Sequence, residues 1–214
     1  MKIGLIPAAG LATRLGITTP KELIHHQGQA IIDYSIDHLI DAQVDRIVIV
    51  IRQGKEAIQE HVTHKYHDFP FEFVYQDGKI GRLIDAIKAS YQAIHQHQVY
   101  FCMADTQITP NPFLLNPTHE LTLLCFQAPG ETWQHFGVID LQNHQIVDKP
   151  SAYISSICWG ALIWQPAFTE RLMAQHDLTQ AMNDAHWEHQ ICIESYKDIG
   201  IKPDSAAKKT KAAQ

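Results

Sequence analysis

Residues 2–23 read "KIGLIPAAGLATRLGITTPKEL" and decide how the chain begins to fold. The apolar run predicts a short buried β-strand, and the small residues that follow predict a tight turn. In such a turn backbone N–H groups can approach an anion closely, and Arg14 and Lys21 can neutralise it. The stretch is neither a Walker loop nor a G-x-G-x-x-G fingerprint. Two cations favour a polyphosphate over a single carboxylate, the alternative being a structural turn with both cations in solvent.

Strand and helix patterns alternate along the first half of the chain. The strand "DRIVIVI" is apolar on both faces, as central strands of parallel sheets are. Alternation of this kind predicts a parallel sheet with right-handed helical crossovers, and therefore an α/β protein with a mostly parallel central sheet. The predicted strands are 2–8, 45–51, 71–76 and 98–105, and the predicted helices between them are 30–43, 54–66 and 82–97.

The pattern changes after residue 105. Strand-like segments within 120–128, 135–150 and 155–164 follow one another without long helices, which predicts added mixed or antiparallel strands. Late helices are expected at 168–175 and 178–188. We expect one domain over residues 1–204, with halves 1–105 and 106–204. The small, basic segment 205–214 has no apolar face and is expected to be a disordered tail.

Composition excludes several classes of protein. The 214 residues are 45% apolar and carry a net charge of −6, so we expect no nucleic-acid partner. The start is too short and too soon interrupted for a signal peptide, and no stretch approaches the roughly 18 apolar residues of a membrane span. The 4 cysteines lie far apart and without metal-site spacing, which predicts reduced thiols in a cytoplasmic protein.

Candidate functional residues fall where predicted strands end. Asp105 closes the hydrophobic strand "VYFCMAD", at the edge where open α/β sheets bind ligands, and its carboxylate suits Mg²⁺. The alternative is a helix-capping or turn aspartate. Lys149 and Asp198 also lie in turns, and each alone would be an ordinary turn residue.

Five segments together resemble the sugar nucleotidyltransferase family, and in pattern most of all its glucose-1-phosphate thymidylyltransferases and uridylyltransferases. The resemblance spans residues 3 to about 204. It implies a Rossmann-like, three-layer nucleotide-diphospho-sugar transferase fold. The implied activity transfers a nucleoside monophosphate, UMP or dTMP, from the triphosphate to a sugar-1-phosphate and releases pyrophosphate. The segments are "AAGLATRLGITTPKEL", "YQDGKIGRLIDAI", "MADT", "GVIDLQNHQIVDKP" and "YKDIGIKPD".

The resemblance also implies roles in the nucleotide-binding half, 1–105. Arg14 would hold the β- and γ-phosphates, and Lys21 would reach toward the α-phosphate. Backbone groups of the opening turn would line the nucleotide, while a Gln–Gly pair would read the edge of a pyrimidine base. The implied nucleotide-binding residues are Ala8, Ala9, Gly10, Gln76 and Gly81.

In the acceptor half, 106–204, the resemblance places Gly137, Asp148 and Lys149 against the sugar phosphate. Asp105 and Asp198 match the two aspartates that bind Mg²⁺, the implied cofactor. The partners implied are a nucleoside triphosphate and a sugar-1-phosphate, and the chain could act as a monomer or a homodimer. The implied catalytic residues are Arg14, Lys21, Asp105 and Lys149.

Some positions depart from the family pattern and leave alternatives open. Ala12 stands where the family has a second glycine, and Arg14 and Lys21 are seven residues apart instead of the usual ten. The shorter spacing resembles cytidylyltransferases, so a cytidylyltransferase acting on an alditol or choline phosphate is one alternative. A non-catalytic, nucleotide-sugar-binding regulatory relative is another.

Overall fold

The strands predicted in the first half lie side by side at one end of the main sheet. A computed structural model describes residues 1–10, 20–77 and 82–199. The helices are α1 (Ile31–Asp41), α2 (Glu56–Lys65), α3 (Leu83–Ala89), α4 (Tyr91–Ile94), α5 (Pro166–Ala174) and α6 (Leu178–Asn183), with short 3-10 turns at Lys21–Leu23 and Thr132–His135. The strands are β1 (Lys2–Pro7), β2 (His25–His26), β3 (Gln29–Ala30), β4 (Arg46–Ile51), β5 (Phe71–Tyr75), β6 (Gln98–Cys102), β7 (Thr106–Thr109), β8 (Leu121–Gln127), β9 (Gly137–Asp140), β10 (Gln145–Asp148), β11 (Ile157–Trp164), β12 (Trp187–Ile193) and β13 (Ser195–Asp198).

The parallel core has the strand order β6-β1-β4-β5, which confirms the predicted parallel sheet. β1, β4 and β6 are buried on both faces because alternate side chains enter two different hydrophobic cores, whereas β5, at the edge of the sheet, is only partly buried. In β1, Ile6 packs into one core, while Ile3 and Leu5 pack into the other. The carboxyl ends of these strands therefore meet at one edge of the sheet, where ligand sites form in open α/β folds.

Helices cover both faces of the sheet and complete three layers. Apolar residues of α1 and α2, including Ile36 and Val62, pack with the first core. Residues of α3 to α6, including Ile87 and Phe168, pack with the second core. The crossover helices α1 to α4 thus supply much of the outer layers, as the alternation of elements predicts, and α5 and α6, which follow the antiparallel strand β11, complete the second layer.

Antiparallel strands extend the sheet beyond β6, as predicted for the second half. β11 runs antiparallel to β6 and also pairs with β8 and β9, and β10 pairs antiparallel with β9. β12 returns parallel to β8. A separate ribbon of β7 and β13 lies beside this half, with Asp198 opposite Thr106 in the register.

Two predicted helices differ from the structure. The helix predicted over 82–97 is divided into α3 and α4 at Ser90, whose hydroxyl donates to the Ile87 carbonyl at 2.7 Å. A serine that bonds locally to the backbone competes with helix continuation. The helix predicted over 178–188 ends at Asn183, because Trp187 and Glu188 instead begin β12 and pair with β8.

Some properties predicted from composition can be examined in the described part of the chain. There, no helix has both the length and the apolar character needed to cross a bilayer. The cysteines at 102, 125, 158 and 192 are free thiols, as predicted, and the first three are buried. The expected tail, 205–214, lies outside the described residues.

Candidate functional site

Two cavities lie side by side at the carboxyl edge of the parallel strands. The larger has a volume of about 510 Å³ and the smaller about 200 Å³. Asp105, Met103 and Arg82 line both cavities, so the segment after β6 forms their shared wall. This arrangement can hold two ligands next to each other, with Asp105 between them.

The smaller cavity is built from the end of β1, the 3-10 turn and the end of β5. Ala9 and Gly10 line it, while Ala8 is fully buried behind them. Gln76 also lines it, and its buried side-chain Nε2 has no hydrogen-bond partner within residues 1–10, 20–77 and 82–199. A buried N–H donor without an acceptor is costly, so an acceptor atom on a ligand would stabilise it.

Lys21 enters the smaller cavity from the 3-10 turn and forms an ion pair with Asp105. Burial lowers the pKa of Lys21, but nearby carboxylates, first Asp105 and then Glu22, have the larger effect in total, so the pKa is raised overall. The carboxylate of Asp198 also favours the charged form. Lys21 is therefore a cation at neutral pH, placed where the two cavities meet.

Asp105 and Asp198 line the same wall of the larger cavity although they are far apart in sequence. The β7–β13 ribbon brings them together, since Asp198 pairs with Thr106 and the N–H of Ile199 donates to the Asp105 carbonyl at 2.9 Å. Among the described residues, no group of three or more His, Cys, Asp or Glu side chains is arranged to hold a metal ion. The fold thus brings the two aspartates together at the edge of the larger cavity.

The predicted acceptor residues Gly137, Asp148 and Lys149 also line the larger cavity. Lys149 has a left-handed backbone, with φ of 46°, and its N–H donates to the Phe136 carbonyl at 2.9 Å. Its side chain is mostly exposed, with Nζ 3.6 Å from Asp148 Oδ2. This side chain is 65% exposed, so its ammonium is accessible to an anionic ligand in the cavity.

Further residues of the site were not singled out by the sequence. Trp159 and Tyr196 line the larger cavity, and the Tyr196 ring stacks on Phe126 with centroids 4.4 Å apart. Tyr196 lies two residues before Asp198 on one strand, so strand alternation is the signal that could have placed it on the same side. No sequence signal identified the buried ion pair of Lys55 with Glu22, at 2.8 Å. Arg14 and Gly81 lie outside the described residues, and their roles stay predictions.

Gly137 leaves no room for a side chain, because a Cβ built there would lie 2.1 Å from Trp159 Nε1. We expect Gly137→Ala to lower the free energy of unfolding by about 1–3 kcal/mol, the usual cost of overpacking. Chemical denaturation measures this change. The double variant Gly137→Ala/Trp159→Leu should recover part of the loss, and a fully stable Gly137→Ala protein would contradict the expectation.

A family model and two curated relatives that match this chain all indicate a nucleotidyltransferase. A family model described as a MobA-like NTP transferase domain matches residues 4–123. A UTP–glucose-1-phosphate uridylyltransferase, AglF, of Haloferax volcanii is 31% identical over 80 residues, which cover 36% of this chain and 33% of that protein. The Bacillus subtilis UTP–glucose-1-phosphate uridylyltransferase is 38% identical over 63 residues, 28% of this chain and 22% of that protein. The match thus spans no more than about a third of these curated relatives.

Solved structures share the fold over nearly the whole chain. A putative glucose-1-phosphate thymidylyltransferase from Bacillus anthracis, in complex with sucrose, superposes with a TM-score of 0.83 at 16% identity, covering 94% of this chain and 90% of that one. A UDP-glucose pyrophosphorylase complexed with UDP-glucose superposes with a TM-score of 0.79 at 20% identity, covering 94% of each chain. The Rossmann-like, three-layer fold implied by the sequence resemblance is thereby confirmed.

Proposed function

Since the chain belongs to the family of MobA-like NTP transferase domains, we propose that it transfers a nucleoside monophosphate from a nucleoside triphosphate to a sugar-1-phosphate. The observation that carries this proposal is the pair of adjacent cavities joined at the Lys21–Asp105 ion pair. The smaller cavity suits the nucleotide, since it offers loop backbone groups and the Gln76 amide. The larger cavity suits the acceptor, since Lys149 can hold its phosphate.

The proposed reaction needs positioning more than proton transfer. An oxygen of the acceptor phosphate attacks the α-phosphorus, the new O–P bond forms, and the bond to the β-phosphate oxygen breaks with release of pyrophosphate. The attacking oxygen is already anionic, so no general base is required. Lys21 would neutralise negative charge at the α-phosphate. Arg14 would hold the leaving pyrophosphate with its planar, permanently charged guanidinium group.

Asp105 and Asp198 are the residues that would hold Mg²⁺ in this proposal. Mg²⁺ is commonly bound by one or two carboxylates together with substrate phosphates, and the carboxylate pair in the larger cavity fits that pattern. When bound, the ion would supply charge neutralisation and orientation of the phosphates. Lys21, which is paired with Asp105, would lie beside the point where the α-phosphate and the acceptor phosphate meet.

We further propose that the nucleotide is UTP or dTTP and that the reaction takes place in the cytoplasm. The buried Gln76 Nε2 has no acceptor among the described residues and could donate to the O4 carbonyl of uracil or thymine. The relatives from Haloferax volcanii and Bacillus subtilis carry UTP in their names. A cytoplasmic setting agrees with the free thiols at 102, 125, 158 and 192.

The base preference gives a direct test. We expect kcat/KM with UTP or dTTP to exceed that with ATP or GTP at least about tenfold, a gap of about 1.4 kcal/mol, because a purine would extend into the wall of the smaller cavity. Gln76→Ala should narrow the gap without unfolding the protein. Gln53→Ala, which changes an exposed glutamine at the same edge of the sheet, should leave it unchanged. Equal rates with GTP and UTP would refute base reading by this cavity.

A pyrophosphate-release screen tests the activity itself. The assay combines five nucleoside triphosphates with a panel of sugar-1-phosphates, an alditol phosphate and phosphocholine. Release only with a sugar-1-phosphate and a pyrimidine triphosphate would support the proposal, while CTP with phosphocholine or the alditol phosphate would favour the cytidylyltransferase alternative. No release with any pair, combined with retained binding of a nucleotide sugar, would favour a regulatory relative.

A further inference from the structure

Two basic side chains hold the backbone of the loop that follows β1. Lys55, just before α2, donates from Nζ to the Ala8 carbonyl at 2.8 Å and to Glu22 Oε1 at 2.8 Å. Arg52, in the same turn after β4, donates from Nε to the Ala9 carbonyl. Two consecutive carbonyls of the loop are thus each held by a cation of the turn that follows the neighbouring strand.

These contacts determine where the loop amides point. In a trans peptide unit the C=O of one residue and the N–H of the next point in opposite directions. Because the Ala8 and Ala9 carbonyls face Lys55 and Arg52, the N–H groups of Ala9 and Gly10 face the other way. Ala9 and Gly10 line the smaller cavity, whereas neither cation is among the described residues that line it.

Lys55 also joins the two sides of the smaller cavity. Glu22, its carboxylate partner, follows Lys21 directly in the 3-10 turn, and only 1% of Glu22 is exposed. One ammonium therefore connects the loop after β1 to the segment that carries Lys21. Burial lowers the pKa of Lys55 despite the opposing effect of Glu22, so this cation has been taken out of water to make these contacts.

We propose that Lys55 and Arg52 are positioning residues that turn the amide groups of Ala9 and Gly10 toward the nucleotide. Lys55 acts through the Ala8 carbonyl and Glu22, and Arg52 acts through the Ala9 carbonyl. Neither cation touches the ligand in this arrangement. The inference rests on the proposed function, because it takes the smaller cavity to be the nucleotide site.

Lys55→Met tests the first cation, with UTP affinity measured by calorimetry in the absence of acceptor. We expect UTP to bind at least about tenfold more weakly, the effect of one well-oriented hydrogen bond to a polar ligand. Lys55→Arg should keep most of the affinity. Lys55→Met alone also leaves the buried Glu22 carboxylate unpaired, which destabilises a fold strongly.

The double variant Lys55→Met/Glu22→Leu separates positioning from stability when it is compared with Glu22→Leu alone, since Glu22 itself lines the smaller cavity. Apolar residues often replace a buried ion pair without loss of stability, so its melting temperature should exceed that of Lys55→Met. Its UTP affinity should stay low, because the Ala8 carbonyl still lacks its donor. Arg52→Met provides a second, independent variant, whose altered side chain is only partly buried and for which the same loss of affinity is expected.

Lys65→Met is the matched control. Lys65 ends α2, the helix that Lys55 precedes, and pairs at 2.9 Å with Asp33, which is 1% exposed. Breaking this pair should lower the melting temperature while changing UTP affinity less than about twofold, since the ion-pair partner of Lys65 is Asp33 on α1 and the Ala8 and Ala9 carbonyls are held by other cations.

A readout without ligand completes the test. In ¹H–¹⁵N spectra of the ligand-free protein, the Ala9 amide should shift in Lys55→Met/Glu22→Leu and the Gly10 amide in Arg52→Met, with neither moving in Lys65→Met. A folded double variant or Arg52→Met protein that binds UTP as tightly as the unaltered chain would overturn the role of that cation. If the unaltered chain binds none of UTP, dTTP and CTP, the proposed function fails, and the positioning role is overturned with it.

Discussion

Replacement of Asp105 or Asp198 by Asn is expected to lower turnover at least about a thousandfold while the fold is retained. Each substitution preserves shape but removes one of the two carboxylates that line the wall of the larger cavity. The loss should fall on kcat, because these charges act where the phosphates react. Pyrophosphate release under saturating substrates measures it, and thermal unfolding checks the fold.

Asp177→Asn provides the control for this expectation. Asp177 lines the same cavity, but its side chain accepts from the Gln180 N–H at 3.0 Å and caps α6. Asn is as good a capping residue as Asp, so stability and turnover should both change little. If Asp177→Asn reduced turnover as much as the other two substitutions, general loss of negative charge would explain the effect and the assigned pair would be wrong.

Lys21→Met is the second substitution expected to have a large effect. It removes the ammonium paired with Asp105 at the junction of the cavities, and we expect kcat/KM to fall at least about a hundredfold. The pKa of Lys21 is raised above its ordinary value of 10.5, so Lys21 stays charged up to that pH. A loss of activity between neutral pH and pH 10.5 would therefore come from another group.

The corresponding control is Lys88→Met on α3. Lys88 donates to the carbonyls of Met173 and Gln175, outside both cavities, so its loss should leave kcat/KM within about twofold. Steady-state kinetics with UTP and a sugar-1-phosphate compares the two variants. A Lys21→Met enzyme with unchanged kcat/KM would show that this lysine serves only to hold the Asp105 loop.

The parallel half of the fold could be predicted because its signals are local. Apolar β-branched strands such as Arg46–Ile51 alternate with amphipathic helices, and each element carries its own pattern. One error arose where tertiary pairing outweighed local preference. Trp187 and Glu188 follow a helical pattern, but β8 offers hydrogen bonds along a whole strand, so these residues join β12.

The candidate site likewise contains residues that the sequence could predict and residues that it could not. Gln76, Asp105 and Lys149 could be proposed because they follow strands and belong to segments that resemble a family. Lys55 and Arg52 could not, since their contacts are with backbone carbonyls distant in sequence. A carbonyl acceptor exists at every residue, so no residue type in the sequence identifies which carbonyl a distant cation will hold.

The β7–β13 ribbon has a consequence for synthesis of the chain. Asp105 and Asp198 become neighbours only when β13 pairs with β7, about 90 residues after Asp105 has been made. At ordinary rates of translation that interval lasts roughly 5–20 s. During that time the parallel sheet of β1, β4, β5 and β6 can already assemble, while the carboxylate pair is still incomplete. A nascent chain can therefore acquire its opening loop and the Gln76 amide before it acquires the paired aspartates, so the two parts of the proposed site would form at different stages of synthesis.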